Sequence, residues 1–159
     1  MLRPSNLGTL VRAGILACGA TLLSSLSCLA ESKVPIIKFA NGDTVKLEVA
    51  ATVDEVRRGL MYRTSMPEGN GMVFLFRPAM AANFWMYHTL IPLDMLFING
   101  GKIVKLFDSV PPCKSEKPED CPRYPEGPGI VVSEVVELNA GWTKRHGVKE
   151  GDSVTFELP

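Results

Sequence analysis

The sequence predicts an all-β domain: a small β-barrel or sandwich-like fold of about seven strands, with one short helix across one end. Three observations carry that expectation. Val45, Leu47 and Val49 alternate with Thr44, Lys46 and Glu48, the period-two pattern of a strand with one buried and one wet face. Asn41-Gly42-Asp43 and Asn99-Gly100-Gly101 are hairpin signals, because Asn and Gly accept the positive φ angles of tight turns. Convincing helical spacing occurs in one stretch, residues 53–62. The 159 residues suffice for one domain and are too few for two of ordinary size.

Residues 1–30 read as a secretory signal. Arg3 and Arg12 supply its positive region, residues 13–26 are apolar or small, and Cys28-Leu29-Ala30 places small residues where a signal peptidase reads, so cleavage is expected after Ala30. The competing reading is a lipid anchor on Cys28, although Ser25 stands where a lipobox wants an aliphatic residue. Either way residues 31–159 form a single domain in a periplasmic or secreted location. Setting aside Arg3 and Arg12 leaves 15 basic and 17 acidic residues, a net charge of −2, which gives no electrostatic footprint for nucleic acid.

In chain order, residues 34–40 and 44–50 form the first hairpin. Thr52 and Glu55 fit a capping box, in which hydroxyl and carboxylate satisfy free amides at the start of the helix over 53–62. Val53, Val56 and Leu60 share its apolar face; Gly59 either permits close packing or ends the regular turn. Residues 71–76 form a strand that Arg77-Pro78 breaks. Strands over 82–88 and 93–98 follow, with Ile91-Pro92 bending the chain between them, and the next hairpin leads into 102–107. Residues 109–129 hold six prolines and no apolar periodicity, so they form a long loop. A strand over 129–138, a helical turn over 140–146 capped by Asn139 and stopped by Gly147, and a closing strand over 153–158 complete the domain.

The stretch FWMYHTLIPLDMLFI, residues 84–98, is the most informative. It is too short and too polar to span a bilayer, and no integral membrane segment is expected in the mature chain. Its Trp85, His88, Thr89 and Asp94 must satisfy one another or line a cleft, since buried polar groups cost free energy unless paired. With GLMYR upstream and ELNAGWTKRHGVKEGD downstream, this stretch resembles the DUF192 (UPF0127) family over nearly the whole mature chain. The resemblance implies a small β-barrel or sandwich-like domain and implies no activity. Arg63 matches the family's GLM-x-R arginine and Asp94 its PLD carboxylate, whereas His88 stands where asparagine is the more common residue.

Arg63, Trp85, His88 and Asp94 are the candidate ligand-binding residues. If the strands over 82–88 and 93–98 pair, His88 and Asp94 lie together, as a structural hydrogen-bond pair or as a base and its carboxylate. Arg63 is expected within salt-bridge or one-water reach of Asp94, with a bidentate clamp on an anionic ligand as the alternative. Cys113 and Cys121 are the only cysteines after Ala30 and are expected to form a disulfide; the alternative zinc or redox role finds no His nearby in sequence. Met61, Met66, Met72, Met80, Met86 and Met95 raise the thought of copper but are dispersed as core residues are. No cofactor or metal is expected. The functional reading is a ligand-binding or accessory module of the cell envelope, its partner a small molecule or an envelope component. The alternative is a hydrolase acting on an envelope polymer through Asp94 and a second acid or His88.

Overall fold

The computed structural model describes residues 34–158. The signal-peptide reading of residues 1–30 and the lipid-anchor alternative at Cys28 lie outside the described residues.

The first hairpin forms as its alternation predicts. β1 (Ile36–Phe39) and β2 (Thr44–Ala50) pair antiparallel, with Ile37 opposite Val45. The Asn41 side chain accepts from the Asp43 amide at 2.9 Å and holds the turn. α1 (Val53–Arg58) starts at the predicted capping box: Thr52 Oγ1 accepts from the Glu55 amide, and the Glu55 carboxylate accepts from the Thr52 amide at 2.9 Å. Those backbone donors, Thr52 first and Ala51 next, hold the Glu55 carboxyl below its ordinary range. The helix is shorter than expected and buries none of its residues; Val53 is 74% exposed. It ends at Gly59, whose φ of 44° suits glycine and where a Cβ would stand 3.1 Å from the Phe74 ring. Both roles considered for Gly59 therefore hold.

Two strand expectations are corrected. β3 (Asn70–Ala82) runs through Arg77-Pro78 instead of stopping there. It pairs with β2 in parallel and with β8 (Ile130–Asn139) antiparallel, and its register against β8 shifts between Leu75 and Met80. A proline is tolerated at such an irregularity because no ladder bond is asked of it. β4 (Phe84–Trp85) is only two residues long and pairs with β7 (Arg123–Tyr124), inside the proline-rich segment. It does not pair with β5 (Leu93–Asn99), which lies between β8 and β6 (Lys102–Val110).

The seven-stranded sheet has the order β6-β5-β8-β3-β2-β1-β9, where β9 is Val154–Glu157. A bridge between Lys102 and Ser153 and the bond from the Val154 amide to the Gly101 carbonyl, 2.8 Å, bring its two ends together. The sheet is thus curled into a half-barrel. Its concave core is built on Ile37, Val73, Leu96, Val136 and Leu138, and α2 (Trp142–Arg145) sends Trp142 into it against Phe39. α2 is the helix that packs on this core, whereas α1 buries none of its residues. The outer face carries Met72, Phe74, Met95, Phe97 and Val135, a second apolar cluster that also includes Leu60, Met66 and Met86 from the flanking loops. Both faces are covered, which requires two apolar layers rather than one. Cys113 and Cys121 form a disulfide in the loop that covers this outer face.

Candidate functional site

Two buried carboxylates on neighbouring strands face opposite sides of the sheet. Glu137 of β8 is opposite Met95 of β5, and Asp94 is opposite Leu138. Period-two alternation then sends Asp94 toward the concave core and Glu137 toward the outer layer.

Asp94 is fully buried and fully engaged. Its Oδ1 accepts from the backbone amides of Ser109, at 2.9 Å, and Gly141, at 2.8 Å. Its Oδ2 accepts from the Thr143 amide at 2.9 Å and the Thr143 hydroxyl at 2.7 Å. The carboxylate caps α2 and ties it to the ends of β5 and β6. Asn139, expected as the cap, instead donates its side-chain amide to the carbonyls of Met66 and Pro67, each at 3.1 Å. A cap supplied from a distant strand leaves no local sequence signal.

Arg63 is not the partner of Asp94. It forms a two-pronged ion pair with Glu48 on β2, with Nη2 donating to Oε2 at 2.7 Å. The Arg63 hydrogen bond, opposed by the cost of partial burial and aided to a lesser degree by the Arg63 charge, holds the Glu48 carboxyl low. His88 is likewise apart from Asp94. Its ring stacks on Tyr87 with centroids 3.8 Å apart, and its Nδ1 is hydrogen-bonded to the Tyr62 hydroxyl. The Tyr62 amide donates to the His88 carbonyl at 2.8 Å, so two residues with positive φ, Tyr62 at 64° and His88 at 54°, brace each other.

The residue that sequence reasoning passed over is Glu137. It is 4% exposed, and its carboxyl makes no hydrogen bond or ion pair with another described residue. Burial pushes its pKa up to about 8, so the group is an uncharged acid at neutral pH. It lines a cleft of about 180 Å³ between the outer face and the layer that covers it. Phe74, Phe84, Trp85 and Leu60 supply the apolar walls. Thr89, also buried, lines the cleft with a side-chain hydroxyl that has no hydrogen bond among the described residues. At the rim the Arg123 guanidinium lies 3.9 Å over the Trp85 ring, a cation–π contact. Of the four predicted site residues, only Trp85 lines this cleft. Arg63 lines an adjoining cleft of about 500 Å³ that shares Arg58, Gly59 and Met61 with the first. The signal for Glu137 was an acid between Val136 and Leu138 in the ELN motif. On a strand with one wet face such an acid is ordinary, and only the covering layer makes it buried.

Among the described residues no three of His, Cys, Asp and Glu are grouped as metal ligands, and no helix is long and apolar enough to cross a membrane. Met66, Met72, Met86 and Met95 fill the outer-face core.

Two solved structures resemble the chain over the same domain. One is a protein of unknown function from Novosphingobium aromaticivorans DSM 12444, 30% identical, covering 77% of this chain and 83% of its own, with a TM-score of 0.64. The other, from Sinorhizobium meliloti 1021, is described as a candidate transcription regulator; it is 36% identical, covers 77% of this chain and 91% of its own, and has a TM-score of 0.63. No curated protein matches the chain. The profile of DUF192, described as an Uncharacterized ACR, matches residues 36–156, from the first residue of β1 to within β9. The chain therefore belongs to the DUF192 family.

Proposed function

We propose that the domain is a small-ligand-binding module whose site is the outer-face cleft. The observation that carries this reading is Glu137: a buried acid, without a protein partner, on the lining of an apolar cleft. No buried side-chain nitrogen or oxygen among the described residues lacks a partner, so the Glu137 oxygens, which no protein group meets, open onto the cleft, where a ligand can supply their hydrogen bond. Thr89 adds a hydroxyl on the lining of the same cleft, and Trp85 and Phe84 offer apolar ring surface. The disulfide supports placing the domain in an oxidising compartment, as an accessory module of the envelope.

The hydrolase alternative loses its named pair. Asp94 has both oxygens occupied and lines none of the clefts, and Glu137 is the one carboxyl group lining the first.

A fragment screen read by amide chemical shifts tests the proposal. Binders are expected to perturb Phe84, Trp85, Thr89 and Glu137 together. Fragments that bind elsewhere while leaving these four unmoved would overturn it.

A further inference from the structure

The same cleft carries information about the charge of its ligand. Besides Glu137, its charged lining residues are Arg57, Arg58 and Arg123. None of the three makes an ion pair or side-chain hydrogen bond with a carboxylate among the described residues. Arg63, Arg77 and Arg145, by contrast, are each paired with a glutamate. Arg57 and Arg58 come from the last turn of α1, and Arg123 comes from β7, so the charges converge from two elements on one opening. Arg123 is stacked on Trp85, which occupies its face and leaves the N–H edge of the guanidinium free to donate.

Resting on the binding reading above, we infer that the ligand is a small organic anion, with its carboxylate, sulfonate or phosphate group held by Arg58 and Arg123 at the rim and its apolar body between Phe74, Phe84 and Trp85. Guanidinium groups without a carboxylate partner match such oxyanions in geometry as well as charge. The buried end of the cleft is consistent with this polarity. An uncharged Glu137 does not repel an anion, and it can donate or accept one hydrogen bond to the far end of the ligand. At about 180 Å³ the cleft lies below the usual range for drug-sized ligands, so the body is one or two rings or a short chain.

The charged groups facing Glu137 in the cleft are the three arginines, all cationic. Ionisation of Glu137 as pH rises through about 8 therefore adds one negative charge to the site and weakens an anionic ligand.

The test uses the full chain and a pair of probes with one body: naphthalene-2-carboxylate and its neutral amide, naphthalene-2-carboxamide. Both are titrated at pH 7 by calorimetry and by amide shifts. The expected result is that the carboxylate binds about tenfold or more tightly than the amide. Added salt should shrink that ratio, as should Arg58→Gln and Arg123→Gln, two changes at exposed side chains. The ratio should also fall between pH 7 and pH 9 in the native protein and stay level in Glu137→Gln. Equal affinity for the two probes, or a carboxylate advantage unchanged by both arginine substitutions, would overturn the anion inference while leaving the binding module intact. Failure of both probes to move Phe84, Trp85, Thr89 and Glu137 would overturn the anion inference together with the reading on which it rests.

Discussion

Asp94 and Glu137 sit one register position apart on paired strands, yet they live in opposite chemical environments. Asp94, on the concave side, receives four hydrogen bonds and fastens α2 to β5 and β6. Glu137, on the outer side, receives none and stays protonated at neutral pH. A buried carboxylate whose oxygens are all taken by protein donors is a structural fastener, and one without a protein partner that opens onto a cleft is a candidate for binding. Burial and distinctive motif membership do not separate the two roles; the count of partners does.

The largest expected effect comes from breaking the fastener. Asp94→Ala strands the amides of Ser109, Gly141 and Thr143, and should cost roughly 3–5 kcal/mol in equilibrium urea unfolding, with Asp94→Asn less severe because one acceptor oxygen remains. A loss below about 1 kcal/mol would show that α2 does not depend on this carboxylate.

Glu137 should behave in the opposite sense. Its folded pKa of about 8 lies above the ordinary 4.5, so between those values the folded state keeps a proton that the unfolded chain has released. Stability is then lost as pH rises through that window and levels off above about 8. Glu137→Gln has no such proton to lose. It should gain on the native protein as pH rises, by roughly 4–5 kcal/mol at pH 9 and by little at pH 5. Parallel stability curves for the two proteins from pH 5 to 9 would refute the raised pKa.

The disulfide sharpens the contrast between the two sides of the sheet, because it braces the outer cover. Replacing Cys113 and Cys121 by serine should cost about 2–3 kcal/mol by loop-closure reasoning. The loss should be local: hydrogen exchange should quicken at β4 and β7, which flank the cleft, and leave the amides that cap on Asp94 protected. Uniform loss of protection would mean that the cover and the barrel unfold as one unit.

The smallest effect is expected at Arg63. Its pair with Glu48 is substantially exposed, at 35% and 51% for the two side chains. Arg63→Met should therefore cost no more than about 1 kcal/mol. A double-mutant cycle with Asp94→Asn should show no coupling beyond about 0.5 kcal/mol, since the two share no partner.

What the sequence determined by itself was whatever depends on near neighbours. Period-two alternation placed β2, Asn41-Gly42 and Asn99-Gly100 placed the hairpin turns, and Thr52 with Glu55 placed the start of α1. The Cys113–Cys121 disulfide joins residues already close along the chain. These outcomes follow from local sterics, local hydrogen bonds and short loop closure. Tertiary structure alone decided which strands pair, what caps α2 and what covers the second face of the sheet. Phe84-Trp85 pairs with Arg123-Tyr124 rather than with its sequence neighbour, and Arg63 pairs with Glu48 rather than Asp94. Asp94 reaches Gly141 and Thr143. The same dependence on distant chain hid Glu137: alternation sends its side chain away from the concave core, but the loops laid over that face decide whether the acid meets bulk water or an arginine-rimmed cleft.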